Sequence, residues 1–164
     1  MTRTHRLPLQ RQCGLTLLEL LIAMTILGVL ASAVLPMAEV TATRTKELEL
    51  RRSLRLLRTA IDEYKADFDK AKAGNKIITS INDTGYPKSL DELVDGKDWG
   101  DLYPSPRKYL RRIPKDPFDT SGEGWGLRSY TDDPDSTVWG GDDIYDVYSQ
   151  STAVGLDGTP YNTW

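Results

Sequence analysis

At 164 residues, with 39% hydrophobic residues and a net charge of −3, the chain has room for one domain plus a terminal segment. A mean hydropathy of −0.45 marks most of it as water-soluble, and the soluble part has no strongly basic face, which argues against a nucleic-acid partner. Cys13 and His5 are the sole cysteine and histidine, which excludes an internal disulfide and leaves too few ligands for a typical zinc or thiolate site.

Residues 1–14 carry Arg3, Arg6 and Arg11, no acid and no apolar periodicity; they read as a targeting segment. Residues 15–35 form an apolar run of 21, long enough as a helix to cross roughly 30 Å of hydrocarbon. The preceding arginines favour a cytoplasmic N-terminus and export of the rest, although Arg44, Lys46, Arg51 and Arg52 beyond the run blunt that asymmetry. One carboxylate, Glu19, stands inside the run, and Gly14 stands just before it.

Pro36 removes an amide donor and crowds the preceding turn, yet the helical pattern resumes beyond it. Leu50, Leu54, Leu57, Ile61, Tyr64, Phe68 and Ala71 recur at alternating spacings of four and three, one apolar stripe on an otherwise charged helix. Gly74-Asn75 is the expected stop, because Gly readily takes the left-handed conformation at a helix C-terminus.

Past Gly74 proline, glycine and aromatic residues become frequent, and all four tryptophans (Trp99, Trp125, Trp139, Trp164) lie there. Ser89-Leu90-Asp91-Glu92 fits a capping box that opens a short helix. The stretches 125–131 and 143–149 read as strands separated by the turn-rich "DDPDSTVWGGD". Residues 119–164 hold one basic residue, Arg128, against nine acidic ones. The expected fold is α+β, a long N-terminal helix packed on a small antiparallel sheet with long loops.

The apolar run admits three readings. A secretory signal peptide is one, since Ala31-Ser32-Ala33 matches a small-x-small cleavage site after a basic start; the run's length and Glu19 oppose it. A lipoprotein start at Cys13 is opposed by the polar Gln10-Arg11-Gln12. A generic single-pass anchor is another, but a charge within a span reads as functional and needs a partner, which an anchor does not supply.

The third reading rests on Gly14-Leu15-Thr16-Leu17-Leu18-Glu19, placed after a short basic leader and before an apolar helix. It resembles the class III signal of type IV pilins and of the pseudopilins of type II secretion. The resemblance implies prepilin peptidase cleavage after Gly14 and N-methylation of Leu15, a position where phenylalanine is commoner in the family. It implies that Glu19 meets the new N-terminal amine of a neighbouring subunit, and that Pro36 marks where the helix loosens on assembly. The domains expected on this reading are a leader (1–14), a transmembrane and filament-core helix (15–37), an amphipathic helix half (38–73) and a soluble head (74–164).

Within the soluble part, Tyr64-Lys65-Ala66-Asp67, the segment from Tyr86-Pro87 to Leu93, and the segment from Tyr109-Leu110 through Ile113-Pro114 to Asp116-Pro117-Phe118 occur in order. They are similar to segments of major pseudopilins of type II secretion, as are Asp146-Val147-Tyr148-Ser149 and Gly155-Leu156-Asp157-Gly158. The resemblance implies a homo-oligomeric helical filament in the periplasm that helps export folded proteins. Its implied partners are minor pseudopilins, prepilin peptidase and an inner-membrane assembly platform. The chain would cross the bacterial inner membrane once, N-terminus inside. A type IV pilin or minor pilin of a surface pilus is the alternative. The absence of a C-terminal cysteine pair weighs against many pilins.

Major pseudopilins hold a structural calcium in an acidic C-terminal loop. Asp157-Gly158 matches part of that pattern, but "TPYNTW" replaces the acidic stretch beyond it. Asp132, Asp133, Asp135, Asp142 and Asp143 are alternative oxygen donors. The plainer expectation is a solvated acidic loop and no cofactor. No P-loop, Gly-x-Ser-x-Gly or His-Glu-x-x-His pattern occurs, so an enzyme is not expected.

Overall fold

The structure, a computed structural model, describes residues 16–80 and 83–164. Its elements in chain order are α1 (Leu17–Ala73), α2 (Asp91–Asp95), β1 (Trp125–Arg128), β2 (Asp146–Ser149) and a closing 3-10 turn (Tyr161–Thr163). The chain divides into two compact units between Thr41 and Ala42.

In the first unit the described residues from Leu17 onward are helical. Thr25 and Ser32 donate their hydroxyls to the carbonyls of Ile22 (2.8 Å) and Val29 (2.7 Å). These polar side chains are thereby satisfied within their own helix, as an apolar surrounding demands. The helix continues through position 36, so the proline costs one backbone hydrogen bond there without ending the element.

In the second unit all seven residues of the α1 stripe are buried, Leu50, Leu57, Ile61 and Ala71 completely. They share one core with Leu93, Trp99, Leu110, Trp125, Ile144, Val147 and Tyr161. Each buried Leu or Ile contributes about 1.5–3 kcal/mol, so the stripe is the main fastening of the helix to the rest of this unit.

α1 stops where expected, but by a different residue. Asn75 takes the left-handed conformation (φ 51°) while Gly74 does not. Hydrogen bonds from the Asn75 N–H to the Lys72 carbonyl (3.1 Å) and from the Lys76 N–H to the Ala71 carbonyl (2.9 Å) close the helix end, the Schellman arrangement that satisfies its last carbonyls.

The capping box expected at Ser89–Glu92 does not form. Leu90 occupies the N-cap of α2 with no side-chain bond, because the Glu92 carboxylate accepts the Tyr64 hydroxyl at 2.6 Å instead. A tertiary bond has displaced a local one.

Strands β1 and β2 pair antiparallel, with Trp125 opposite Ser149 and Arg128 opposite Asp146. They are shorter than the expected 125–131 and 143–149. Two carboxylates capture the amides that would have extended the first strand, Asp132 at Ser129 (2.7 Å) and Asp143 at Tyr130 (2.9 Å). Gly126 lies opposite Tyr148, where any Cβ would strike the phenol ring. Gly85 is required twice over, by its φ of 84° and by the Phe68 ring on which a side chain would fall.

Candidate functional site

The apolar part of α1 is the first feature that needs a function. Leu17, Leu18, Met24, Leu27 and Val29 are each more than 60% exposed, and the best 18-residue window has a mean hydropathy of 2.3 with none of it buried. So large an uncovered apolar surface marks contact with lipid or with other chains.

Glu19 is the one charged residue in 16–38. It lies in the first turn of α1, where Thr16 caps the helix by accepting the Glu19 amide at 3.2 Å. A carboxylate there also favours the positive end of the helix dipole, by about 0.3–1 kcal/mol. The spacing Thr16-x-x-Glu19 is itself the capping-box pattern, a signal the sequence reading did not use. The Glu19 side chain is exposed and pairs with no described basic group. An uncovered apolar helix therefore carries one uncompensated charge near its start. Gly14 and Leu15 lie outside the described residues; Pro36 lies within α1.

A second constellation holds the head to α1. The Asp67 carboxylate, 1% exposed, accepts the hydroxyls of Tyr103 (2.9 Å) and Tyr109 (2.8 Å) and pairs with Arg107 (2.8 Å) and Lys70 (3.2 Å). The Tyr109 oxygen in turn accepts the Trp99 indole N–H at 2.7 Å. Burial pushes the Asp67 carboxyl up, but the bonds from Tyr109, Tyr103 and Lys70 and the charge of Arg107 outweigh it and hold it below the usual range. Burial raises the Tyr109 phenol and its bond to Asp67 raises it further, so it remains a donor. Asp67 and Tyr109 lie in two of the segments quoted from the sequence, neither marked there as a site, and here they meet. Tyr103 and Arg107 carried no sequence signal.

The C-terminal segment is tied to the same helix further back. Buried Glu47 accepts the Leu156 amide (2.7 Å) and the Tyr161 hydroxyl (3.1 Å). Arg51 pairs with Asp157 (3.2 Å) and lies 4.2 Å from the Trp164 ring centre. Arg58 reaches Asp146 (2.7 Å) and the carbonyls of Val147 and Trp164.

The six aspartates proposed as calcium donors do not converge. Asp132 accepts the Ser129 and Gly140 amides, and these two bonds hold its carboxyl below the usual range. Asp143 is bonded to Tyr130 N–H and the Thr84 hydroxyl. Asp157 accepts the Thr159 hydroxyl (2.6 Å) and amide (3.0 Å). Asp133, Asp135 and Asp142 make no ion pair with a described residue. Calcium takes six to eight oxygens, whereas no three His, Cys, Asp or Glu side chains gather among the described residues. This donor set does not fit a calcium cage.

Comparison with known proteins bears on the N-terminal segment and on the chain as a whole. The prokaryotic N-terminal methylation motif matches residues 9–35. The type II secretion system core protein G of Pectobacterium carotovorum is 31% identical over 113 residues, 67% of this chain and 64% of that protein. Its namesake from Aeromonas hydrophila is 31% identical over 109 residues, 66% of this chain and 69% of that protein. The namesake from Pseudomonas aeruginosa is 28% identical over 142 residues, 79% of this chain and 94% of that protein. No solved structure matches significantly.

Proposed function

The chain belongs to the family of type II secretion system core protein G, and from that premise we propose how this pseudopilin subunit is matured and used. Prepilin peptidase removes residues 1–14 by cutting after Gly14, and Leu15 becomes the methylated N-terminus. The mature chain waits in the inner membrane with its C-terminal residues in the periplasm. It then leaves the lipid as its apolar helix packs with copies of itself and with minor pseudopilins, on an inner-membrane platform. The growing filament helps move folded proteins outward. The role is structural rather than catalytic.

The observation that carries this reading is the uncovered apolar helix with a single unpaired carboxylate in its first turn. A neighbour's Leu15 amine, with a reference pKa near 8, is positive at neutral pH and supplies the missing countercharge. Pairing there sets register, which an apolar surface alone leaves free to slip, as single polar residues set it in coiled coils.

Mass spectrometry of membrane-derived protein is expected to give a chain that starts at methylated Leu15. A start at Val34, after the small-residue site at Ala31-Ser32-Ala33, would overturn the reading. Gly14→Val is expected to abolish maturation almost completely, since a branched side chain keeps the backbone from lying close to the peptidase. Mature protein starting at Leu15 in that variant would count against the assigned cut.

A further inference from the structure

One face of α1 in the second unit has no occupant. At 100° per residue, Leu48, Arg52, Arg55 and Leu56 lie opposite the buried stripe of Leu50, Leu54, Leu57 and Ile61. Leu48 is 53% and Leu56 50% exposed, and neither Arg52 nor Arg55 makes an ion pair with a described residue. Their neighbours Arg51 and Arg58 are both engaged. The face thus pairs an apolar centre with two uncompensated guanidinium groups.

The same chain displays the complementary surface. In the loop 133–142, Val138 is 75% and Trp139 39% exposed, flanked by the unpaired Asp133, Asp135 and Asp142. Arginine suits such a contact, because its planar fork binds carboxylates in two-point fashion and stacks on aromatic faces. The two surfaces are opposite in charge, and both carry exposed apolar area. We propose that the outward face of α1 around Leu48, Arg52, Arg55 and Leu56 docks the 133–142 loop of a second copy of this chain.

Such a contact is head-to-tail. Each copy offers its helix face to one neighbour and its loop to another, which propagates into an open fibre where the rotation between copies closes no ring. It would add register from the soluble part to that set by Glu19. This inference rests on the filament reading above and goes beyond it by naming the surfaces.

The test uses the full chain expressed where it assembles. Arg55→Cys combined with Asp135→Cys, oxidised in sheared, sedimented filaments, is expected to give a ladder of disulfide-linked multimers on a non-reducing gel. Each single variant should give none, since a chain cut after Gly14 has lost Cys13 and keeps only the introduced thiol. Charge reversal supplies the second arm. Arg55→Glu alone and Asp135→Arg alone are each expected to lower sedimentable filament by about tenfold or more, from like-charge contact, and the double reversal to restore it. Sedimentable filaments with neither ladder nor rescue would overturn the docking but leave the filament reading standing. Wild-type chains that yield no sedimentable filament at all would overturn that reading, and the docking with it.

Discussion

Glu19→Ala is expected to mature normally and reach the membrane but to lose sedimentable filament by about two orders of magnitude. On the proposed function the cut falls after Gly14, five residues before Glu19. Assembly needs Glu19, if its carboxylate meets the amine of a neighbour. Breaking a desolvated pair by removing one partner costs about 3–5 kcal/mol, and every 1.4 kcal/mol is tenfold in an equilibrium. The structure also gives Glu19 a local task in the first turn beside its cap, Thr16. That task is worth about 0.3–1 kcal/mol, too little to abolish assembly. Glu19→Gln keeps the capping-box pattern but carries no charge, so it removes the proposed pair together with only the small dipole contribution. Quantitative sedimentation is expected to show the Gln variant as deficient as the Ala variant. Normal filament yield from the Gln variant would reduce Glu19 to a capping residue.

What could be read from the sequence in advance follows a physical divide. The α1 stripe was legible because burial on a helix repeats every 3.6 residues, and Leu50 through Ala71 keep that period. The two strands and the helix stop were legible from composition, although their details depended on partners. Strand ends were set by Asp132 and Asp143, and the α2 cap was lost because Glu92 serves Tyr64. Neither effect leaves a periodic trace.

The candidate sites divide in the same way. Glu19 stood out at once, because a lone charge in an apolar run is anomalous on any reading. Asp67 did not, because on a charged helix one more aspartate looks like solvated surface. Only the fold brings Tyr103, Arg107 and Tyr109 to it from about forty residues away in sequence. The acidic loop shows the opposite error. Its aspartates look alike in sequence, but Asp143 is 4% exposed and bonded to backbone, whereas Asp133, Asp135 and Asp142 are exposed.

Asp67→Ala is expected to destabilise the second unit by about 2–4 kcal/mol, chiefly the cost of leaving the part-buried Tyr103 and Tyr109 hydroxyls without their acceptor. Its loss strips the Tyr103 and Tyr109 hydroxyls of their acceptor and leaves Arg107 only Glu63 and the Tyr103 oxygen. Total stabilities are about 5–15 kcal/mol, so the variant loses a large share and its denaturant midpoint drops accordingly. Asp67→Asn keeps one acceptor oxygen for Tyr103 but faces Tyr109 and Arg107 with an amide, and should fall between wild type and the Ala variant. Acid provides a check that a packing defect alone would not reproduce. The folded Asp67 carboxyl titrates below its ordinary value, so its stabilisation is fully present above the unfolded value of about 3.9. It is lost as pH falls through the lower, folded value. Denaturant midpoints of the detergent-solubilised full chain, measured from neutral pH down through pH 3, should therefore show wild type and Asp67→Ala converging in acid. A constant gap across that range would mean that Asp67 acts by filling space and not by its charge.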